Sequence, residues 1–112
     1  MKVLASILAL GLMAAPALAA TKTFTDVPVV DQNCSKKVAA NPDAHTRDCA
    51  LMCAKSGFGV ITSDNQYLKF DDAGNKEIIK ELKASSKKDH LRVDVKGDVE
   101  GDTLKVQSVK LL

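Results

Sequence analysis

The sequence predicts a mainly β domain of α+β composition, a small five-stranded barrel with one helix between its first and second strands and another between its third and fourth. Three observations predict it. Apolar and polar residues alternate in short runs, most clearly Leu91, Val93 and Val95 against Arg92, Asp94 and Lys96, which is the period of a half-buried strand. Only two stretches carry helical spacing. The chain, at 112 residues, is the size of one domain, and closing short strands into a barrel hides edges that a small open sheet would leave exposed.

The first segment to set aside is residues 1–19. Lys2 precedes an apolar run from Val3 to Ala15, followed by Pro16 and Ala17-Leu18-Ala19, a small-x-small site. This is the form of a secretory signal peptide, cut after Ala19 or, as the next choice, after Ala20, and its core is short for a membrane span. No cysteine stands at the cut, so no lipid anchor is expected there. The expected product is a domain over residues 20–112, periplasmic or secreted, with no membrane anchor. It keeps 93 residues, with 15 Lys+Arg against 14 Asp+Glu. That balance excludes a strongly basic nucleic-acid binder, and the length excludes an enzyme with a deep, multi-element cleft.

The elements follow in order. Thr21 to Asp31 is rich in β-branched residues and holds one proline, a first strand of irregular or edge character. Asn33 to Asn41 is a polar loop carrying Cys34. Asn41-Pro42-Asp43 reads as a helix start, with a cap, a proline at the first helical position and an acid in the first turn. This helix is expected to reach Lys55 and stop at Gly57, burying Ala44, Cys49, Met52 and Cys53. Phe58 to Thr62 and Tyr67 to Phe70 flank Ser63-Asp64-Asn65-Gln66 as a hairpin. Asp71 to Asn75 is a turn; it lacks the spacing and distal glutamate of a calcium loop. Lys76 to Ser86 is a short helix with Ile78, Ile79 and Leu82 on one face. Leu91 to Lys96 is a strand, Glu100-Gly101-Asp102 a turn, and Leu104, Val106, Val109 and Leu111 mark the last strand. The apolar phase slips between Val106 and Val109, which places a β-bulge near Gln107-Ser108.

Without the cysteine-bearing helix, the order is three strands, a helix and two strands, the order of an OB-like barrel. Three motifs together resemble a group of small, signal-peptide-bearing bacterial proteins with an OB-like barrel and no assigned function. They are Asp31-x-x-Cys34, then Cys49-x-x-x-Cys53-Ala-Lys-Ser-Gly57, and the tail Val93-x-Val95-x-Gly97-x-Val99-x-Gly101-Asp102-x-Leu104-x-Val106. The tail is also similar to secreted bacterial OB-fold proteins more widely. The resemblance implies a fold and a compartment and brings no activity with it.

Export shapes the reading of the three cysteines, since disulfides persist outside the cytoplasm. An odd number leaves one thiol over. Cys49 and Cys53 on consecutive turns would pin nothing to anything. Cys34 bonded to Cys53 or to Cys49 would instead tie the loop after the first strand to the helix. The closed loops, 19 or 15 positions apart, correspond to about 3 kcal/mol in the chain-entropy model. The alternative is a thiolate metal site for zinc or copper. His45, Cys49 and Cys53 are spaced by four, but positions eight apart on a helix are separated by about 12 Å. The possible sets are therefore Cys34, Cys49 and Cys53, or Cys34, His45 and Cys49, with Asp31 the nearest further ligand in sequence. A thiol oxidoreductase is the third reading, weakened by the absence of a Cys-x-x-Cys motif.

Other features point elsewhere. His45 by itself reads as a solvent-facing first-turn residue, and Met52 as core. Lys80, Lys83, Lys87 and Lys88 form a solvated basic run. Of the four aromatic residues, Phe24, Phe58, Tyr67 and Phe70, most are expected in the core, which argues against base stacking and a nucleic-acid partner. No catalytic motif is visible. The expectation is a non-catalytic exported binding module without a cofactor, taking a small ligand or a protein partner at residues the sequence does not identify. It is a monomer or, through its spare thiol, a disulfide-linked dimer.

Overall fold

The computed structural model describes residues 20–112; the signal-peptide reading of residues 1–19 lies outside them. Five strands close into one barrel in the order β1-β2-β3-β5-β4, with β4 returning to β1. The strands are β1 (Ala20–Asp31), β2 (Phe58–Ile61), β3 (Tyr67–Phe70), β4 (Arg92–Glu100) and β5 (Thr103–Leu111). All neighbours are antiparallel except β3 and β5, which run parallel through Lys69–Thr103 and Phe70–Leu104 and close the barrel. This is the expected OB-like barrel. No helix of the described residues is long and apolar enough to cross a membrane.

The length of β1 makes closure possible. Its first part, Ala20 to Phe24, and then Val27 and Pro28 pair with β4, while Val29 to Asp31 pair with β2. The register shifts between Phe24 and Val27, where Asp26 has φ 53°. Such a bulge bends a strand and lets one segment serve two neighbours. Pro28 sits just where the pairing passes from β4 to β2. A second bulge stands where the apolar phase slips: Lys96 pairs with Ser108 and Gly97 with Val106, leaving Gln107 as the extra residue. At Gly97 a Cβ would lie 2.2 Å from the Lys105 carbonyl oxygen, so this crossing needs glycine.

The barrel interior is packed with Val27, Val29, Phe58, Val60, Leu68, Phe70, Val93, Val95, Leu104 and Val109. Helix α2 (Asp72–Ala84) covers one end with Ile78 and Leu82 buried and Ile79 partly so. It starts earlier than the sequence suggests. Asp71 acts as its cap, with Oδ1 accepting from Gly74 N (3.0 Å) and also from Val106 N (3.2 Å). The five residues read as a turn are thus a helix cap and first turn anchored to β5.

The link from β1 to β2, residues 32–57, departs most from expectation. The long helix from Asn41 to Lys55 is replaced by 3-10 turns at Gln32–Cys34, Pro42–Ala44 and Ala54–Ser56 and by a helix α1 of only six residues, Arg47–Met52. Thr46 is the cap, its hydroxyl accepting from Cys49 N at 3.2 Å, while the Asn41 side chain makes no capping bond. His45 is extended, with φ −71° and ψ 127°, and breaks the helix. The new phase turns Ala50 inward, with Leu51 and Ala54 against the core. Ala44 and Cys49 are exposed, and Met52, expected in the core, is 84% exposed.

Candidate functional site

Asp31 ends β1 and is fully buried. A carboxylate so placed must have its oxygens satisfied, and both are. Oδ2 accepts from the backbone N–H of Cys34 at 3.0 Å, capping the turn that follows. Oδ1 accepts from His45 Nε2 at 2.7 Å. This bond draws the imidazole inward and leaves it 7% exposed, so His45 is neither the solvent-facing residue nor the thiol-side ligand that its helical spacing suggested.

Around that pair the fold gathers two of the three cysteines. Cys34 closes the first 3-10 turn, Cys53 is the C-cap of α1, and both are half-buried. Asp31, Cys34 and Cys53 hold ligand atoms within 4.8 Å of one another, the one such set among the described residues. Asn33 Nδ2 donates to Cys53 Sγ at 3.4 Å. Cys49 faces solvent and takes no part, so neither Cys34-Cys49-Cys53 nor Cys34-His45-Cys49 assembles. All three cysteines are thiols: the Cys34 disulfide is not formed here, and of its two candidate partners only Cys53 lies beside it. Partial burial and the Asp31 charge push the Cys34 thiol above its ordinary pKa, the opposite of an activated nucleophile.

The link is tied down on its far side by Arg92 at the start of β4. Its Nε and Nη2 donate to Asp43 Oδ1 and Oδ2 at 3.0 and 3.1 Å, a bidentate pair, and Nη1 donates to the Asp26 carbonyl at 2.6 Å. The guanidinium holds the Asp43 carboxyl below the usual carboxylate range. Arg47 adds a donor bond to the Ser85 carbonyl at 2.5 Å.

Between these anchors, Ser35, Lys36, Ala39 and Ala40 form part of the wall of a cleft of about 630 Å³. The rest of its lining is Ile61 of β2, Tyr67 and Lys69 of β3, Asn65 of the β2–β3 turn and Asp102 of the β4–β5 turn. A second cleft, of about 380 Å³, shares Ala39, Ala40, Ile61 and Asn65 with it and is also lined by Pro28 and Arg92. Tyr67 Oη donates to the Val30 carbonyl at 2.9 Å; burial, and then the charge of Asp31, push its ionisation well above the ordinary phenol value. Lys69 Nζ lies 3.4 Å from Asp102 Oδ2. Sequence reasoning missed this cleft because its walls come from four separate segments. The one local signal is the Tyr67-x-Lys69 spacing, which puts both residues on the same face of β3.

No protein-family model, curated protein or solved structure matches the chain. The basic run Lys80, Lys83, Lys87 and Lys88 is exposed at all four positions; the His90 ring bonds to its neighbour Asp89, and the His90 N–H donates to the Asp43 carbonyl at 2.9 Å.

Proposed function

We propose that the protein is a non-catalytic, exported binding module that takes a small ligand on its β2–β3 face, beneath the Ser35–Ala40 loop. The observation that carries this reading is the position of the cleft. In five-stranded barrels of this topology the second and third strands and the loops after the first and fourth form the ligand-binding face, and here those same segments line the opening. Its volume lies within the range of small-molecule sites. Ala39, Ala40, Ile61 and the Tyr67 ring supply an apolar wall, while Lys36, Lys69 and Asn65 supply donors. That wall suits a compact ligand with an apolar body and an acceptor or anionic group. Tyr67 is the one aromatic side chain lining the two clefts.

In the same reading, Cys34 and Cys53 close as a disulfide in the oxidising compartment. Their two protons and two electrons pass to an external disulfide or thiol oxidant. The support is their proximity and the solvent-facing position of Cys49. The bond would fasten the start of the link to the end of α1.

Fragment screening by NMR with ¹⁵N-labelled protein tests the reading. A library of small aromatic acids and sugars should give saturable shifts grouped at Lys36, Ala40, Asn65, Tyr67 and Lys69, with the fragments recovered unchanged. Shifts scattered over the barrel, or grouped on the α2 face, would remove the cleft as the site.

A further inference from the structure

The Asp31-Cys34-Cys53 cluster supports an inference that goes beyond the cleft and does not rest on it. We propose that in its dithiol state the cluster binds one divalent ion of the zinc class through Cys34 Sγ, Cys53 Sγ and an Asp31 carboxylate oxygen, with solvent in the fourth position.

The geometry is close to what such an ion needs. Zinc–sulfur bonds of about 2.3 Å at a tetrahedral angle put ligand atoms about 3.8 Å apart. The three atoms already lie within 4.8 Å of one another, so small side-chain rotations complete the set. The supporting contacts are also in place. His45 holds Asp31 through Oδ1, and the Cys34 N–H holds it through Oδ2, so the carboxylate is oriented before any ion arrives. Asn33 donates to Cys53 Sγ, a contact that favours a sulfur bearing negative charge. The carboxylate is buried while both cysteine residues are only half-buried, which leaves the ion a way in and a position for water. Two thiolates exclude magnesium and calcium, and the hard carboxylate oxygen favours zinc over cuprous copper.

Binding displaces the two thiol protons to solvent as two metal–sulfur bonds form, and no electron moves. A disulfide has no thiolate to offer, so the metal-bound and bridged forms exclude each other. The cluster is then a metal site only while reduced.

The test uses protein made from the full-length reading frame and purified with and without reductant, with cobalt(II) as the spectroscopic probe. Reduced protein should bind one equivalent, with sulfur-to-cobalt charge-transfer absorption and displacement by zinc. Cys53→Ser should weaken binding about 100-fold or more and Asp31→Asn about 10-fold or more, with Cys49→Ser unchanged. Thermal melts check that each variant folds. Should Cys53→Ser fail to fold, oxidation of the unaltered chain serves in its place and should abolish binding. The proposal is overturned if the reduced protein shows no thiolate absorption, if Cys53→Ser binds as tightly as the parent, or if binding requires Cys49. None of these results bears on whether fragments occupy the cleft.

Discussion

The barrel and the link from β1 to β2 are built on different physical terms. The barrel rests on apolar burial: Phe58, Val60, Val93 and Leu104 have no accessible surface, and the strands that carry them pair with neighbours on both sides. The link, residues 32–57, has one helix of six residues and buries Ala50 as its only core-cluster member. It is held instead by polar bonds that run to the barrel, Asp31 to His45 and Cys34 and Arg92 to Asp43, and to the end of α2, Arg47 to Ser85. A long connection inside a compact domain is commonly a functional one. Here the link carries both the cysteine pair and the Ser35–Ala40 stretch that lines the cleft.

The widest gap between the two regions should appear on truncating a core side chain. Phe58→Ala leaves a cavity where β2 meets the interior and should cost about 3–5 kcal/mol, read from chemical denaturation. In the link, Asp31→Ala should have the largest effect, about 3 kcal/mol, because it leaves His45 and the Cys34 N–H buried without their acceptor. If Asp31→Ala costs no more than an ordinary surface change, the view that polar bonds hold the link is wrong.

A smaller effect separates the regions by pH. The folded Asp43 ionises at lower pH than the unfolded chain, because Arg92 stabilises its charge. Its contribution is therefore present above the unfolded value, about 3.9, and is lost as pH falls through the folded value. Asp43→Asn should cost about 1 kcal/mol near neutrality, and its melting curve should converge on the parent's in acid. A constant gap between the two curves at all pH values would show that the pair does not titrate in this way. The smallest effect is expected at Met52, which is exposed: Met52→Ala should change stability by less than about 0.5 kcal/mol. A larger loss would mean that this side chain packs against something.

The same contrast explains what was legible in the sequence. The strands could be read because their signal is local: the alternation from Leu91 to Lys96 marks β4, and the phase slip before Val109 marks the bulge at Gln107. Barrel order followed from element order. In the link the decisive interaction is between Asp31 and His45, fourteen positions apart, and no periodicity reports it. Asn41 and Thr46 are both plausible caps by residue type. The choice between them follows from where His45 has to go, and it shifts the helix phase enough to expose Cys49 and Met52. Asp31 and the two clustered cysteines could be named from sequence, whereas the exclusion of Cys49 and the pairing of His45 with Asp31 could not. The cleft was invisible because no single segment contains it.

Mapping the cysteines of protein recovered from an oxidising compartment tests this account most directly. Intact mass and peptide mass spectrometry on protein alkylated before and after reduction would assign every thiol. The account predicts the loss of two hydrogens relative to the reduced chain, a Cys34–Cys53 linked peptide, and Cys49 alone accessible to alkylation without reductant. A linked peptide containing Cys49, or Cys34 and Cys53 both free in metal-free protein from an oxidising compartment, would contradict it.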